Sequence, residues 1–200
     1  PIALTLSAFG PKTLDYCGAE CDGHLTWNAN PGMLTAARAR IDAAAHRAGR
    51  DPANIPSKNI SPLAVLRPGE TAASPRVLKS LGPFITNLLH VMCEWDDKLF
   101  PAESSIAGLV TRYREYVESL PAARRHLILH EGHLVFTRED EQAFLVPEVA
   151  EVAAMIGEPD AVIEKIRALE AAGLRHFAFQ VTDDPIGQMR YFAETVMNRY

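Results

Sequence analysis

Short apolar runs separated by turn-forming residues characterise the start of the chain. Residues 2–7 are apolar and precede Phe9-Gly10-Pro11, which predicts a buried strand that ends in a tight turn. Proline is favourable in the first turn of a helix, so Pro11 is predicted to begin a helix that extends to about Glu20. A second strand is predicted over Gly23–Trp27, after a turn-like Asp-Gly pair.

The rest of the chain repeats these two patterns. Strands are predicted over residues 57–66, where Pro62 removes a ladder donor, and over residues 177–181. Apolar positions at helical spacing predict helices over 33–47, 74–95 with a break or kink at Gly82-Pro83, 109–120, 147–156, 160–172 and 185–198. No clear strand is predicted between residues 68 and 157, so this stretch is expected to be a mostly helical insertion.

Strands and helices alternate at both ends of the chain, which predicts an α/β fold with parallel strands and right-handed crossovers. We expect one domain over residues 1–200, with the insertion at 68–157 before the last unit, and the four strands as parallel neighbours in chain order. Four strands cannot close a (β/α)8 barrel, so the expectation is a partial barrel of about four β/α units. Its apolar seam would then be covered by a second copy, a partner chain or a missing half.

The composition is that of a globular protein with a substantial core. Hydrophobic residues make up 48% of the 200 residues and charged residues 22%, which excludes a disordered chain. The formal net charge of -5 disfavours a nucleic-acid partner, and no apolar run is long enough to predict a membrane span.

Three cysteines are too few for a disulfide framework, which favours a reducing cytoplasm. The start at Pro1 is explained equally by methionine removal and by a cut within a larger protein.

The turn after the first strand is a candidate phosphate site. Its residues are Ser7, Phe9, Gly10, Pro11, Lys12 and Thr13. A strand end, a glycine that allows close backbone approach and a helix N-terminus together offer free N–H groups and a positive dipole end to a phosphate. An ordinary turn before a proline-started helix explains the same residues, and the spacing alone favours that simpler interpretation.

Three histidines raise the question of a metal. His130 and His133 form an H-x-x-H pair, and His126 lies one helical turn before His130. Three imidazoles and a water would make a catalytic zinc site, but the spacing is not the H-E-x-x-H of metalloproteases. We favour a polar segment without a metal, in which His130 and His133 are the candidate catalytic residues and one of them contacts the substrate.

Other polar residues lie at predicted strand ends or within the core. Trp27 and Asn28 follow the second strand and Gln180 ends the last one, so these three could line a substrate pocket. Core packing of Trp27 and turn capping by Asn28 are equally compatible with the pattern. The C-x₃-C-x₂-H pattern that ends at His24 is interpreted as core, because no second ligand cluster completes a metal site.

Several stretches resemble luciferase-like flavin- or deazaflavin-dependent oxidoreductases. These are residues 4–14 (LTLSAFGPKTL) with Cys21-Asp22-Gly23, residues 48–52 (AGRDP), and residues 157–160 (GEPD), 169–174 (LEAAGL) and 177–180 (FAFQ). Residues 126–134 (HLILHEGHL) are similar to a subgroup of that family. The resemblance extends over nearly the whole chain in the right order, and it corresponds to the part of the family from about the fifth barrel strand onward.

This resemblance implies part of a (β/α)8 barrel that binds FMN or coenzyme F420 at its C-terminal mouth, with the cofactor phosphate near residues 9–13. The implied reaction is hydride transfer to, or monooxygenation of, a small organic substrate. Activity is expected to need the missing N-terminal half or a partner chain. The alternative is a non-catalytic truncated barrel that acts as a ligand-binding or assembly module.

Overall fold

The computed structural model describes residues 2–96 and 104–200. The strands are β1 (Thr5–Ser7), β2 (Gly23–Trp27), β3 (Ser57–Val65), β4 (Met155–Gly157) and β5 (Leu174–Gln180). The α-helices are α1 (Pro11–Glu20), α2 (Pro31–Arg47), α3 (Pro75–Cys93), α4 (Ser105–Ser119), α5 (Arg125–Leu129), α6 (Pro147–Ala153), α7 (Pro159–Ala171) and α8 (Pro185–Thr195). Short 3₁₀ helices cover Pro52–Asn54, Glu139–Phe144 and Met197–Arg199.

The chain divides into two compact units, and the division falls within β3. The first unit comprises Pro1–Ser61, Asp160–Gln180 and Arg199–Tyr200, and the second comprises Pro62–Pro159 and Val181–Asn198. No helix among residues 2–96 and 104–200 is long and apolar enough to cross a membrane.

The first unit contains the predicted strand–helix alternation. β1 pairs with β2 in parallel, with Thr5 opposite Gly23, and β2 pairs with β3 in parallel, with His24 opposite Ser57. β5 also pairs with β3. The four strands predicted from the sequence are therefore neighbours in chain order, and the parallel α/β class is confirmed.

Close packing of α1 on α2 builds one side of the first unit. A Cβ atom at Gly18 would overlap the carbonyl oxygen of Ile41, so only glycine allows the two helices to come this close. Asn30 caps α2 by accepting a hydrogen bond from the N–H of Met33 at 2.9 Å. The core of this unit consists of Ala8, Leu14, Cys17, Cys21, Ile41, Ala45 and Ile55. The two cysteines and the fully buried His24 are thus core residues, as predicted.

The second unit is a mostly helical assembly around α3. This helix runs without interruption through Pro83, where the sequence predicted a break or kink. Its buried side chains include Leu81, Phe84 and Leu89, and it packs against both α4 and α6. Because a proline removes only one backbone donor, this extensive apolar contact is sufficient to hold the helix together.

One strand was not predicted. The helix expected over residues 147–156 ends at Ala153, and Met155–Gly157 forms β4, which pairs in parallel with β3 through Leu63 and Met155. A strand of three residues is too short to show an alternating pattern. Its conformation is set by pairing with a strand ninety residues earlier in the chain, so the local sequence does not reveal it.

Candidate functional site

The exposed turn between β1 and α1 is the first candidate site. All six residues predicted to bind phosphate are solvent-exposed there: Ser7, Phe9, Gly10, Pro11, Lys12 and Thr13. Gly10 is the N-cap of α1, and within residues 2–96 and 104–200 no side chain caps the helix. Because Pro11 carries no N–H, the N–H groups of Lys12 and Thr13 are the ones that the first helical turn offers to a ligand.

The backbone conformation of this turn does not require glycine at position 10. Gly10 has φ -85° and ψ 160°, which is an extended conformation open to any residue. A Cβ atom there would meet only the Thr13 hydroxyl oxygen, at 3.8 Å. The Thr13 hydroxyl itself donates to the Gly10 carbonyl at 2.9 Å. Glycine is therefore not required for folding here, and its contribution to a site would be the open space above the helix end.

A buried histidine anchors the start of this turn. Nε2 of His24 lies 3.0 Å from the Ala8 carbonyl oxygen, and Nδ1 lies 3.1 Å from Oγ of Ser57. Since a carbonyl can only accept, Nε2 carries the proton and Nδ1 accepts from the serine hydroxyl. Burial lowers the pKa of His24, with a further lowering from Arg38, so the ring is kept neutral. The sequence pattern placed His24 in the core but did not reveal this anchoring role.

Polar side chains gather where β2 ends, beside the middle of β3, with Trp27 opposite Ile60. Trp27 is half-buried at the end of β2, and Asn28 follows in the left-handed region with φ 44°. Ser61 Oγ donates to Asn28 Oδ1 at 2.7 Å. Asn59, which the sequence analysis missed, accepts from the N–H of Ala29 at 3.0 Å. Asn28 is thus placed at a strand end, as predicted, and takes part in turn geometry as well.

Two amide atoms in the first unit are buried without a hydrogen bond to any described residue. They are Nδ2 of Asn59 on β3 and Oε1 of Gln180 at the end of β5. Buried polar atoms without a partner are rare, since each costs free energy. An unpaired donor and an unpaired acceptor on paired strands are suited to hydrogen-bond a ligand, which supports the selection of Gln180 from the sequence.

The second candidate site is a cavity of about 400 Å³ in the second unit. His130 and His133 both line it, and His90 on α3 lines it with them. Apolar lining comes from Val91, Trp95 and Leu129. His126, which the sequence grouped with His130 and His133, is not among the lining residues. The third histidine that lines the cavity is instead His90, which lies forty residues before His130 in the chain.

A tight turn brings the two predicted histidines together. α5 ends at Leu129 with His130 as its C-cap, and Gly132 follows in the left-handed region with φ +72°. Glycine is needed for this conformation, and a Cβ atom at Gly132 would lie 2.5 Å from the ring of the exposed Phe136, which would have to move. As a result, Nδ1 of His130 and Nδ1 of His133 are 3.4 Å apart. Burial, followed by His130 and His90, lowers the pKa of His133.

The buried Glu141 carboxylate orients the ring of His90. Its Nε2 lies 3.3 Å from Oε1 of Glu141, which is only 2% exposed, and the Tyr113 hydroxyl donates to the same oxygen. Burial and then the Glu141 hydrogen bond raise the pKa of Tyr113, so it remains a hydroxyl donor. No single-sequence signal relates these three residues, because they belong to three separate elements.

Parallel strands whose carboxyl ends carry exposed turns and polar side chains place the chain among α/β proteins, in which ligands bind at that end of the sheet or barrel. Within that class the chain belongs to the luciferase-like monooxygenase family, whose family model matches residues 1–176. The resemblance predicted from the sequence is therefore confirmed. No curated protein sequence matches the chain.

Solved structures of other proteins share the fold of this chain. The coenzyme F420 dependent tetrahydromethanopterin reductase from Methanopyrus kandleri is 17% identical with a TM-score of 0.57, over 100% of this chain and 51% of that one. An F420-dependent secondary alcohol dehydrogenase is 16% identical with a TM-score of 0.54, over 98% and 48%. A riboflavin lyase, solved with modified FMN and riboflavin, is 14% identical with a TM-score of 0.51, over 98% and 42%. The chain thus spans about half the length of these proteins.

Proposed function

We propose that this chain contributes a cofactor-phosphate site to a luciferase-like oxidoreductase that uses F420 or FMN. The observation that carries the proposal is the exposed N-terminus of α1, where no side chain of the described residues bonds to the N–H groups of Lys12 and Thr13. Two of the similar structures are F420-dependent by name and a third holds modified FMN. Both cofactors carry a phosphate, which is the group that a free helix N-terminus binds well.

The residues of the turn fit a phosphate in charge and in access. Lys12 is exposed and forms no ion pair with a described residue, so its ammonium is available as a supplementary charge. The extended Gly10 leaves open space in front of the N–H groups. His24 holds Ala8, and with it the start of the turn, in a fixed position. The turn is therefore preorganised, so that binding costs little ordering of the backbone.

When bound, the redox ring of such a cofactor supplies hydride transfer, or oxygen activation in a monooxygenase. The contribution of the chain is to bind and orient. We assign substrate contacts to Trp27, Asn28 and Gln180, supported by the unpaired buried Oε1 of Gln180. His130 and His133 are proposed to contact substrate from the cavity of the second unit.

We propose that activity needs a second copy of the chain or a further segment of barrel. β1 is at one end of the described strand order and pairs there only with β2. Ile2 and Leu4 beside it are 89% and 61% exposed. An edge strand next to exposed apolar side chains favours addition of another strand. We also propose a cytoplasmic location, which the free thiols of all three cysteines support.

The half length of the chain relative to the similar structures also favours the second candidate function, a ligand-binding or assembly module without catalysis. Titrations with FMN and with riboflavin test the phosphate site for both candidate functions. FMN and riboflavin differ only by the phosphate, so FMN should bind more tightly. Lys12→Ala should weaken the binding of FMN by on the order of 1–2 kcal/mol and leave the binding of riboflavin unchanged. Equal affinity for FMN and riboflavin, together with equal affinity for F420 and its phosphate-free chromophore, would refute the site.

A further inference from the structure

The three histidines of the second unit form a cluster with the composition of a metal site. One ring nitrogen each from His90, His130 and His133 lies within 4.8 Å of the other two. Two of these residues flank a glycine turn, and the third projects from a helix of the unit's core, so the cluster joins separate segments. Neutral imidazole is a preferred ligand of Zn²⁺ and of neighbouring divalent transition metals.

One of the three separations already matches tetrahedral coordination. Zn–N bonds of about 2.0–2.1 Å at a tetrahedral angle place two ligand nitrogens about 3.3–3.4 Å apart. The Nδ1 atoms of His130 and His133 are already 3.4 Å apart. Both side chains are exposed, so they can close the remaining separations to His90 by rotation. Without a metal, the same two nitrogens can instead share one proton in a hydrogen bond.

The surroundings of His90 supply the second observation. Its Nε2 is bonded to the buried Glu141 carboxylate, while its Nδ1 is buried without a hydrogen bond to any described residue. A metal-bound histidine almost always gives its other ring N–H to a carboxylate or carbonyl, which fixes the ring and raises its basicity. His90 has this arrangement: one nitrogen is held by a carboxylate and the other is left without a partner.

We propose that His90, His130 and His133 bind one divalent transition metal of the Zn²⁺ type, with an open coordination position toward the cavity. Glu141 is a positioning residue that orients His90, and Tyr113 fixes Glu141 in turn. The cavity of about 400 Å³ leaves room at the fourth position for water or an oxygen atom of a small ligand. This proposal does not rest on the cofactor site, which belongs to the other unit.

The test is a titration of the tag-free chain with Co²⁺, monitored by visible absorption, followed by displacement with Zn²⁺. We expect one equivalent of Co²⁺ to bind with the intense bands of four-coordinate cobalt, and Zn²⁺ to abolish them. His130→Gln and His133→Gln should each weaken binding by more than about 100-fold, because losing a ligand costs more than losing an outer partner. His126→Gln is the matched control, since His126 is an exposed histidine of the same segment outside the cluster, and it should bind as the parent does.

Glu141→Gln tests the positioning role. The amide keeps the size of the side chain but removes its charge, so we expect metal affinity to fall about 10–100-fold and the cobalt bands to shift. Far-UV circular dichroism confirms that each variant is folded. The proposal is overturned if the parent binds less than one equivalent of Co²⁺. It is also overturned if the bands are the weak ones of six-coordinate cobalt, or if His130→Gln and His133→Gln bind like His126→Gln.

Discussion

Nε2 of His90 lies 3.3 Å from Oε1 of Glu141, and this contact connects the core helix α3 to the 3₁₀ helix Glu139–Phe144. The Glu141 carboxylate is buried, and Tyr113 donates to the same oxygen. A buried carboxylate is stable only when its hydrogen bonds are made. The pair therefore both stabilises the second unit and orients the histidine that faces the cavity.

Removing the Tyr113 hydroxyl should destabilise the fold measurably. Tyr113→Phe takes one donor from a buried carboxylate, so we expect the free energy of unfolding to fall by about 1.5–3 kcal/mol. Tyr116→Phe is the matched control, because Tyr116 donates to the exposed Asp140 at 3.0 Å and should cost less than about 1 kcal/mol. Urea denaturation of both variants measures the difference. Equal losses would show that the Glu141 contact contributes no more than a surface one.

Two glycines in helices should respond to alanine in opposite directions. A Cβ atom at residue 18 would overlap the Ile41 carbonyl oxygen, whereas one at Gly108 has nothing within 4 Å among the described residues. Gly18→Ala should lower the free energy of unfolding by about 1–3 kcal/mol. Gly108→Ala should raise it by about 0.5–1 kcal/mol through helix propensity. Denaturation curves in which Gly18→Ala is neutral would contradict the close contact of α1 and α2.

The ion pair of Glu70 and Arg76 should give stability that depends on acid pH. Hydrogen bonds from Arg76 lower the pKa of Glu70 to about 2, and the Arg67 N–H also donates to it at 2.8 Å. A carboxylate whose pKa is lowered on folding contributes stability above its ordinary pKa of 4.5, and this contribution is lost as the pH falls toward 2.

Glu70→Gln should therefore cost about 1–2 kcal/mol at pH 7 and nothing near pH 2. Unfolding curves of parent and variant at several pH values measure this difference. Glu164→Gln, which removes the exposed partner of Arg167, is the control and should cost little at any pH. A Glu70→Gln deficit that stays constant from pH 7 to pH 2 would rule out the ion pair as its source.

The sequence was most informative where local signals and tertiary pairing agree. α1 and β2 were predicted to the residue, because Pro11 and the Asp-Gly turn mark their ends. β4 was missed, since its conformation depends on pairing with β3. The histidine segment has a left-handed turn at Gly132, a conformation that glycine favours.

In the candidate sites, too, local sequence signals predicted some features, whereas others depend on tertiary packing. The spacing of His130 and His133 predicted that they lie together, and a 3.4 Å separation of their Nδ1 atoms agrees. The third member could not be predicted, because His90 reaches the cluster only through the packing of α3. For the same reason the sequence showed Asn59 only as a strand residue, whereas the fold reveals its unpaired Nδ2.

The open space at Gly10 allows a direct test of the proposed cofactor-phosphate site at the N-terminus of α1. Because Gly10 is extended and its Cβ direction is open, both Gly10→Ala and Gly10→Val should fold like the parent. The decisive measurement is the ratio of FMN to riboflavin affinity in the parent and in these two variants, repeated with F420 and its phosphate-free chromophore. We expect the preference for phosphate to be lost in Gly10→Val, by more than in Lys12→Ala, and to be largely kept in Gly10→Ala. If Gly10→Val binds both cofactors as the parent does, the turn does not bind the cofactor phosphate and the proposed site is wrong.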